Sequence, residues 1–143
     1  MKPCLCDDMT KIIKFFMNMV ADPEILKFDD LKFSEAKLIP MIHKFPNQSF
    51  SFYSTHLFLE NGSFTYIAKQ CRDKGYLEII SNPKDKRSKL LILTNKGIEM
   101  ATLIESKIEL HLENKLKQYQ TEDRELLINA FYYMLEAIDK VSQ

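Results

Sequence analysis

Apolar positions recur at helical spacing through most of this chain, and the pattern breaks clearly in only one place. From Asp8 to Ala21, DMTKIIKFFMNMVA is apolar on most sides, which predicts a helix buried against something large. DPEILKFDD, Asp22 to Asp30, reads as a turn-rich connection. Ser34 is a candidate cap for a helix over Glu35 to Lys44, with Pro40 expected to bend or weaken it. After the break at PNQ, a short helix is expected over Phe52 to Leu59 and another over Gly62 to Lys74. Gly75 suits the left-handed position that stops a helix. The period then changes, and Tyr76–Ser81 and Lys89–Leu93 read as strands. Thr94 can cap a long helix running to about Gln118. Thr121, followed by Glu122 and Asp123, opens a last helix to about Val141. Its apolar positions Leu126, Leu127, Ala130, Phe131, Met134, Leu135 and Ile138 keep helical spacing. The expected class is mostly α with a small two- or three-stranded β element.

The length, 143 residues, suits one domain, taken as 1–143. Apolar residues make up 45% and charged residues 28%, ordinary for a globular chain. No apolar run nears the ~18 residues of a membrane span. MKPCLCDDMTK lacks the apolar stretch of a secretory signal, so no membrane partner and a cytoplasmic location are expected. The formal net charge of zero hides an asymmetry. Residues 61–97 carry 8 Lys/Arg against 3 Asp/Glu, while residues 98–143 carry 5 against 9. The tip between the two strands concentrates this: of the six residues from Lys84 to Lys89, four are basic. Such clustering is the electrostatic footprint of a nucleic-acid surface, although a solvated charged face would look the same.

The basic segment is therefore helix, turn, helix and a ribbon with a charged tip. On duplex DNA that order has a physical logic. A helix fits the major groove, where base edges carry the sequence code, and the preceding helix braces it across the backbone. A basic ribbon beside it can reach the next groove or its phosphates. This is a winged helix-turn-helix, with Lys84–Lys89 as the wing and about 34–97 as the DNA-binding lobe.

Competing chemistry finds little support. No Gly-rich phosphate loop, HExxH or GxSxG motif is present, so no catalytic residue or cofactor is assigned. His43, His56 and His111 are scattered without metal-ligand spacing. Cys71 falls where a core residue would serve and reads as a buried, inert thiol. Cys4 and Cys6 form a CxC near the N-terminus, with Asp7 and Asp8 beside them, an environment that disfavours a thiolate.

Gly62 to Gly97, GSFTYIAKQCRDKGYLEIISNPKDKRSKLLILTNKG, resembles the core of the MarR family of bacterial regulators. That family's wing and next helix read D-x-R, a strand, then L-T-x-x-G. Here stand Asp85-Lys86-Arg87, Leu90 to Ile92, and Leu93-Thr94-Asn95-Lys96-Gly97. Upstream, Ser63, Thr65, Arg72, Lys74 and Gly75 fit the family's Ser/Thr-rich helix start, basic helix end and glycine. The likeness is dense over 36 residues. Three positions depart from it: Glu60 stands for the usual Ser or Thr, Phe58 for a turn Gly, and Tyr66 for a frequent Arg.

The resemblance implies a homodimer joined through terminal helices at about 8–21 and 98–143. It further implies a sequence-specific transcriptional regulator, here expected to be a repressor of a palindromic duplex site. Two-fold symmetry would set the reading helices ~34 Å apart. It implies that Arg87 reaches the minor groove, with pairing to Asp85 as the structural alternative. Lys86 sits with Arg87 at the wing tip, and Lys84 and Lys89 are expected phosphate contacts. Ser63, Thr65, Tyr66, Lys69 and Gln70 lie toward the exposed side of the reading helix, where Gln can read adenine, and Arg72 and Lys74 complete its basic end. Phe64, Ile67 and Cys71 should face the core. A small-molecule effector between the dimer helices and the DNA lobe is a further implication. Two alternatives stand beside this reading: a winged-helix protein-contact module without DNA binding, and a redox sensor using Cys4 and Cys6.

Overall fold

The computed structural model describes residues 4–20, 22–57, 59 and 61–143. Phe58 and Glu60, two of the departures noted above, lie outside them. The element order is α1 (Leu5–Val20), α2 (Phe33–Lys44), α3 (Phe50–His56), α4 (Asn61–Asp73), β1 (Leu77–Asn82), β2 (Asp85–Leu93), α5 (Asn95–Leu116) and α6 (Thr121–Val141). Two compact units result, one from residues 21–108 and one from residues 1–20 with 109–143. No helix among the described residues is long and apolar enough to cross a membrane.

The unit of residues 21–108 has its own core. Ala36, Leu38, Ile39, Tyr53, Phe64, Ala68 and Cys71 are fully buried and join Leu77, Leu91 and Ile104 in one cluster. Phe64 and Cys71 face inward as their spacing predicts, and Ile67 is half-buried against them. α2 begins two residues earlier than a Ser34 cap allows. Lys32 is its N-cap, and its backbone N–H donates to the Glu35 carboxylate at 3.0 Å, so Ser34 lies inside the first turn. Pro40 sits within α2 without ending it. Ser49 caps α3, its hydroxyl accepting from the Phe52 N–H at 3.1 Å. That cap is why α3 starts at Phe50, ahead of the expected Phe52.

The joint between α4 and the sheet is tightly determined. Gly75 takes φ +84°, and its N–H donates to the Arg72 carbonyl while the Tyr76 N–H reaches back to Cys71. These two bonds make a Schellman stop. β1 and β2 pair antiparallel from Leu77↔Leu93 to Ser81↔Lys89, with a register shift before Asn82↔Asp85. The sheet has two strands, and Phe28↔Leu31 forms an isolated bridge. β2 starts four residues earlier than the expected Lys89, because side chains organise the tip. Asn82 Oδ1 accepts from the Lys84 N–H and Asp85 Oδ1 from the Arg87 N–H, both at 3.0 Å. Such Asx turns let a charged stretch hold a defined ribbon. After β2, Thr94 performs its expected capping: its Oγ1 accepts from the Gly97 N–H at 3.1 Å and donates to the Gly75 carbonyl at 2.6 Å.

In the second unit, α1 and α6 meet through Phe16 and Phe131, with ring centroids 5.1 Å apart. The His111 Nε2 lies 3.0 Å from the Met19 carbonyl oxygen, at the end of α1. Phe16, Leu112, Leu116, Phe131, Met134 and Ile138 line an open apolar cavity of about 500 Å³. α1 is not buried within the single chain, for only Met19 on it is buried. α6 buries no residue at all: Leu126 is 70% exposed, Tyr132 68% and Tyr133 73%.

Candidate nucleic-acid interface

α4 presents two adjacent rows of side chains at helical spacing. Ser63, Tyr66 and Gln70 make one row, and Thr65, Lys69 and Arg72 the other. Ser63, Tyr66, Lys69 and Arg72 are exposed, while Thr65 and Gln70 are half-buried. The opposite face, carrying Phe64, Ala68 and Cys71, is committed to the core. α4 can therefore offer polar groups to a groove without disturbing its own packing. Arg72 is partly engaged, its guanidinium lying 3.1 Å from the Asp73 carboxylate in an exposed pair.

The wing meets this surface from the side. Thr65 lines a shallow pocket of about 330 Å³ with Arg87, Ser88 and Lys89, together with Ser49 and Ser51 from the start of α3. The helix start and the wing thus share one concavity. Lys84, Asp85, Lys86, Arg87 and Lys89 are all exposed. Among the described residues, no ion-pair partner is found for Lys69, Lys84, Lys86, Arg87 or Lys89. Asp85 shapes the tip through the Arg87 backbone N–H, leaving the guanidinium free of it. Among the described residues the structural alternative, an Asp85–Arg87 side-chain pair, is therefore not found.

Lys74 is the residue the structure places elsewhere. Its ammonium lies 2.6 Å from Glu35 Oε2 and donates to the Asp30 carbonyl at 2.7 Å. The hydrogen bond to Glu35 holds this ammonium above the ordinary lysine range. Glu35 itself is 1% exposed. The charge at the end of α4 is thus spent inside the unit. Burial, assisted by the Glu35 carboxylate, pushes the Cys71 thiol up to about 12, the behaviour of an inert core thiol. Cys4 and Cys6 are exposed and unpaired.

Sequence reasoning missed three neighbours of the site. Lys32 stands over the Tyr66 ring, 5.8 Å from its centroid. Ser49 and Ser51 join the wing pocket. The Ser49 cap was readable from a Ser before an aromatic-rich run; nothing in the sequence links Lys32 to a residue 34 positions on.

No protein-family profile and no curated protein matches the sequence. Solved structures do. Wild-type MarR from E. coli, in its apo form, superposes with a TM-score of 0.70 at 18% identity, over 96% of this chain and 98% of that one. The fold is that of the MarR regulators. The transcriptional regulator Tm0710 from Thermotoga maritima shares it with a TM-score of 0.70 at 17% identity, over 96% of this chain and 99% of that one. FabT from Streptococcus pneumoniae, solved in complex with DNA, shares it with a TM-score of 0.65 at 20% identity and 96% coverage of both chains. In this MarR-type fold, α3 and α4 are the helix-turn-helix and β1–β2 the wing.

Proposed function

We propose that this chain is a transcriptional regulator that binds a palindromic duplex site as a homodimer and acts as a repressor. α4 enters the major groove, with Ser63, Thr65, Tyr66, Lys69 and Gln70 toward the bases and Arg72 beside the backbone. Arg87 reaches the flanking minor groove, and Lys84, Lys86 and Lys89 meet phosphates. Asp85 acts indirectly, by holding the tip that presents Arg87.

The observation that carries this reading is the set of unpaired cations on α4 and the wing. A folded chain with zero net charge has acidic groups enough to neutralise them. It instead leaves five exposed cations on α4 and the wing without acidic partners among the described residues. Counterion release on phosphate contact then supplies binding energy. The exposed apolar surfaces of α1 and α6 support the dimer, since apolar area of this extent is normally covered by a partner. Release by a small-molecule effector would require it to favour one spacing of the two reading helices over another.

The test is fluorescence anisotropy with labelled duplex from upstream of the protein's own gene and a random duplex, each at several salt concentrations. Tight binding that prefers the upstream duplex, with log K falling by about 0.9 per phosphate contact against log salt, supports the reading. Absence of binding to either duplex at low salt would overturn it.

A further inference from the structure

The basic residue at the end of α4 has a structural address that a DNA contact does not need. Lys74 Nζ bonds Glu35 Oε2 at 2.6 Å and the Asp30 carbonyl at 2.7 Å. The same Glu35 oxygen accepts the Lys32 N–H that starts α2. The next residue but one extends the arrangement: the Tyr76 hydroxyl donates to Asp30 Oδ2 at 2.7 Å. Behind them, Lys96 donates to the Lys74 carbonyl at 2.6 Å and lies 4.4 Å from the Tyr76 ring centroid. The last turn of α4 is therefore tied to the first turn of α2, to the loop before it and to the start of α5. A buried carboxylate is costly unless it is paired and hydrogen-bonded; here the Lys74 ammonium supplies the opposite charge and the Lys32 N–H a second bond to the same oxygen.

We propose that Lys74 is a positioning residue: through Glu35 and Asp30 it fixes the end and tilt of α4, so that Tyr66, Lys69 and Gln70 meet the groove in register, and it does not itself contact DNA. This rests on the DNA-binding reading above. Its logic is that a helix held at one end by its Schellman stop alone can still pivot, and base-edge hydrogen bonds lose strength quickly with misplacement. A lysine clamped on two oxygens of another segment removes that freedom.

The test compares wild type with Lys74→Met, Glu35→Gln and the double variant Glu35→Gln/Lys74→Met, using the upstream duplex over a salt series. Affinity is referred to folded protein, so a loss of stability alone moves the melting point and not the affinity. The proposal expects each single variant to bind about tenfold more weakly, on the scale of one mispositioned base contact. The salt slope should stay at the wild-type value. Glu35→Gln is the decisive arm. It deletes a negative charge, which by electrostatics alone would strengthen DNA binding; the proposal expects weakening. The double variant, which leaves no unpaired buried ion, should bind about as weakly as either single one, and it serves if Lys74→Met does not fold.

Two results overturn the proposal. One is a salt slope shallower by about 0.9 per lysine removed in Lys74→Met, with Glu35→Gln binding like wild type or tighter, which would make Lys74 a phosphate contact. The other is unchanged affinity in all three variants. If wild type binds neither the upstream nor a random duplex, the DNA reading itself has failed. Amide hydrogen exchange over Lys69–Asp73 then decides for the clamp: faster exchange in the double variant upholds the fixing of α4, and unchanged exchange ends it.

Discussion

A Cβ on Gly97 would lie 1.9 Å from the carbonyl oxygen of Tyr76. The first turn of α5 is thus pressed against the backbone at the start of the wing. That carbonyl also accepts the Thr94 N–H at 3.1 Å, so it cannot move aside without breaking a bond. The obstacle is backbone and not a flexible side chain. Gly97→Ala should therefore destabilise the protein by about 3 kcal/mol, the upper range for overpacking, read as a lower urea midpoint. A loss below about 0.5 kcal/mol would show that the junction is looser than described.

Arg87 makes no ion pair among the described residues and is fully available at the wing tip. Arg87→Ala should leave the melting temperature unchanged and weaken binding to the upstream duplex by about tenfold. Wild-type affinity in this variant would remove Arg87 from the interface while leaving the fold intact.

Leu126 and Tyr133 stand two helical turns apart on α6 and are 70% and 73% exposed. Charging them costs the single chain little, because neither is buried in it. Leu126→Glu/Tyr133→Glu should keep its helical circular dichroism and shift sedimentation from dimer toward monomer, with the dimer dissociation constant raised at least about tenfold. An unshifted sedimentation profile would place the dimer contact elsewhere.

Three groups near the α4–β1 joint hold their protons more tightly when folded. Burial raises the Cys71 thiol from 9.0 to about 12. Burial, then the hydrogen bond to Asp30, raises the Tyr76 hydroxyl from 10.0 to about 12. The Lys74 ammonium shifts the same way through Glu35. In each case the unfolded chain loses the proton first. The stability they contribute is full below pH 9 and drains away as pH rises toward about 12. Urea midpoints should fall across that window, and fall less steeply in Cys71→Ala. A flat profile would contradict the assigned burial.

The legible parts of the fold are those whose signals are local. The Gly75 stop, the Thr94 cap and the 94–97 spacing each act over a few residues, and each is found where the sequence puts it. The misreadings are of another kind. β2 was expected to begin at Lys89 because Lys84 to Ser88 look like loop. Their ribbon is set by the side-chain oxygens of Asn82 and Asp85, which propensity does not register. Ser34 resembled a cap, but Glu35 serves the Lys32 N–H instead. Lys74 was grouped with the DNA contacts because it fits the family's basic helix end, and nothing in the sequence points to Glu35, the partner 39 residues earlier that engages it. The apolar α1 was expected to be buried against something large, and a single chain leaves it exposed except at Met19.

The clamp at Glu35 also bears on the order of assembly. Contacts around the wing close short loops: Thr94 to Gly75 spans 19 residues and Lys96 to Lys74 spans 22. Glu35 to Lys74 spans 39 and Asp30 to Tyr76 spans 46. Each doubling of loop length adds about 0.6 kcal/mol to closure, so the α4–wing–α5 stretch is expected to form ahead of the fastening of α2. In a denaturant chevron, Thr94→Ala should slow folding, whereas Glu35→Gln should chiefly speed unfolding. On that expectation, the groups that set the angle of α4 arrive last and let go first.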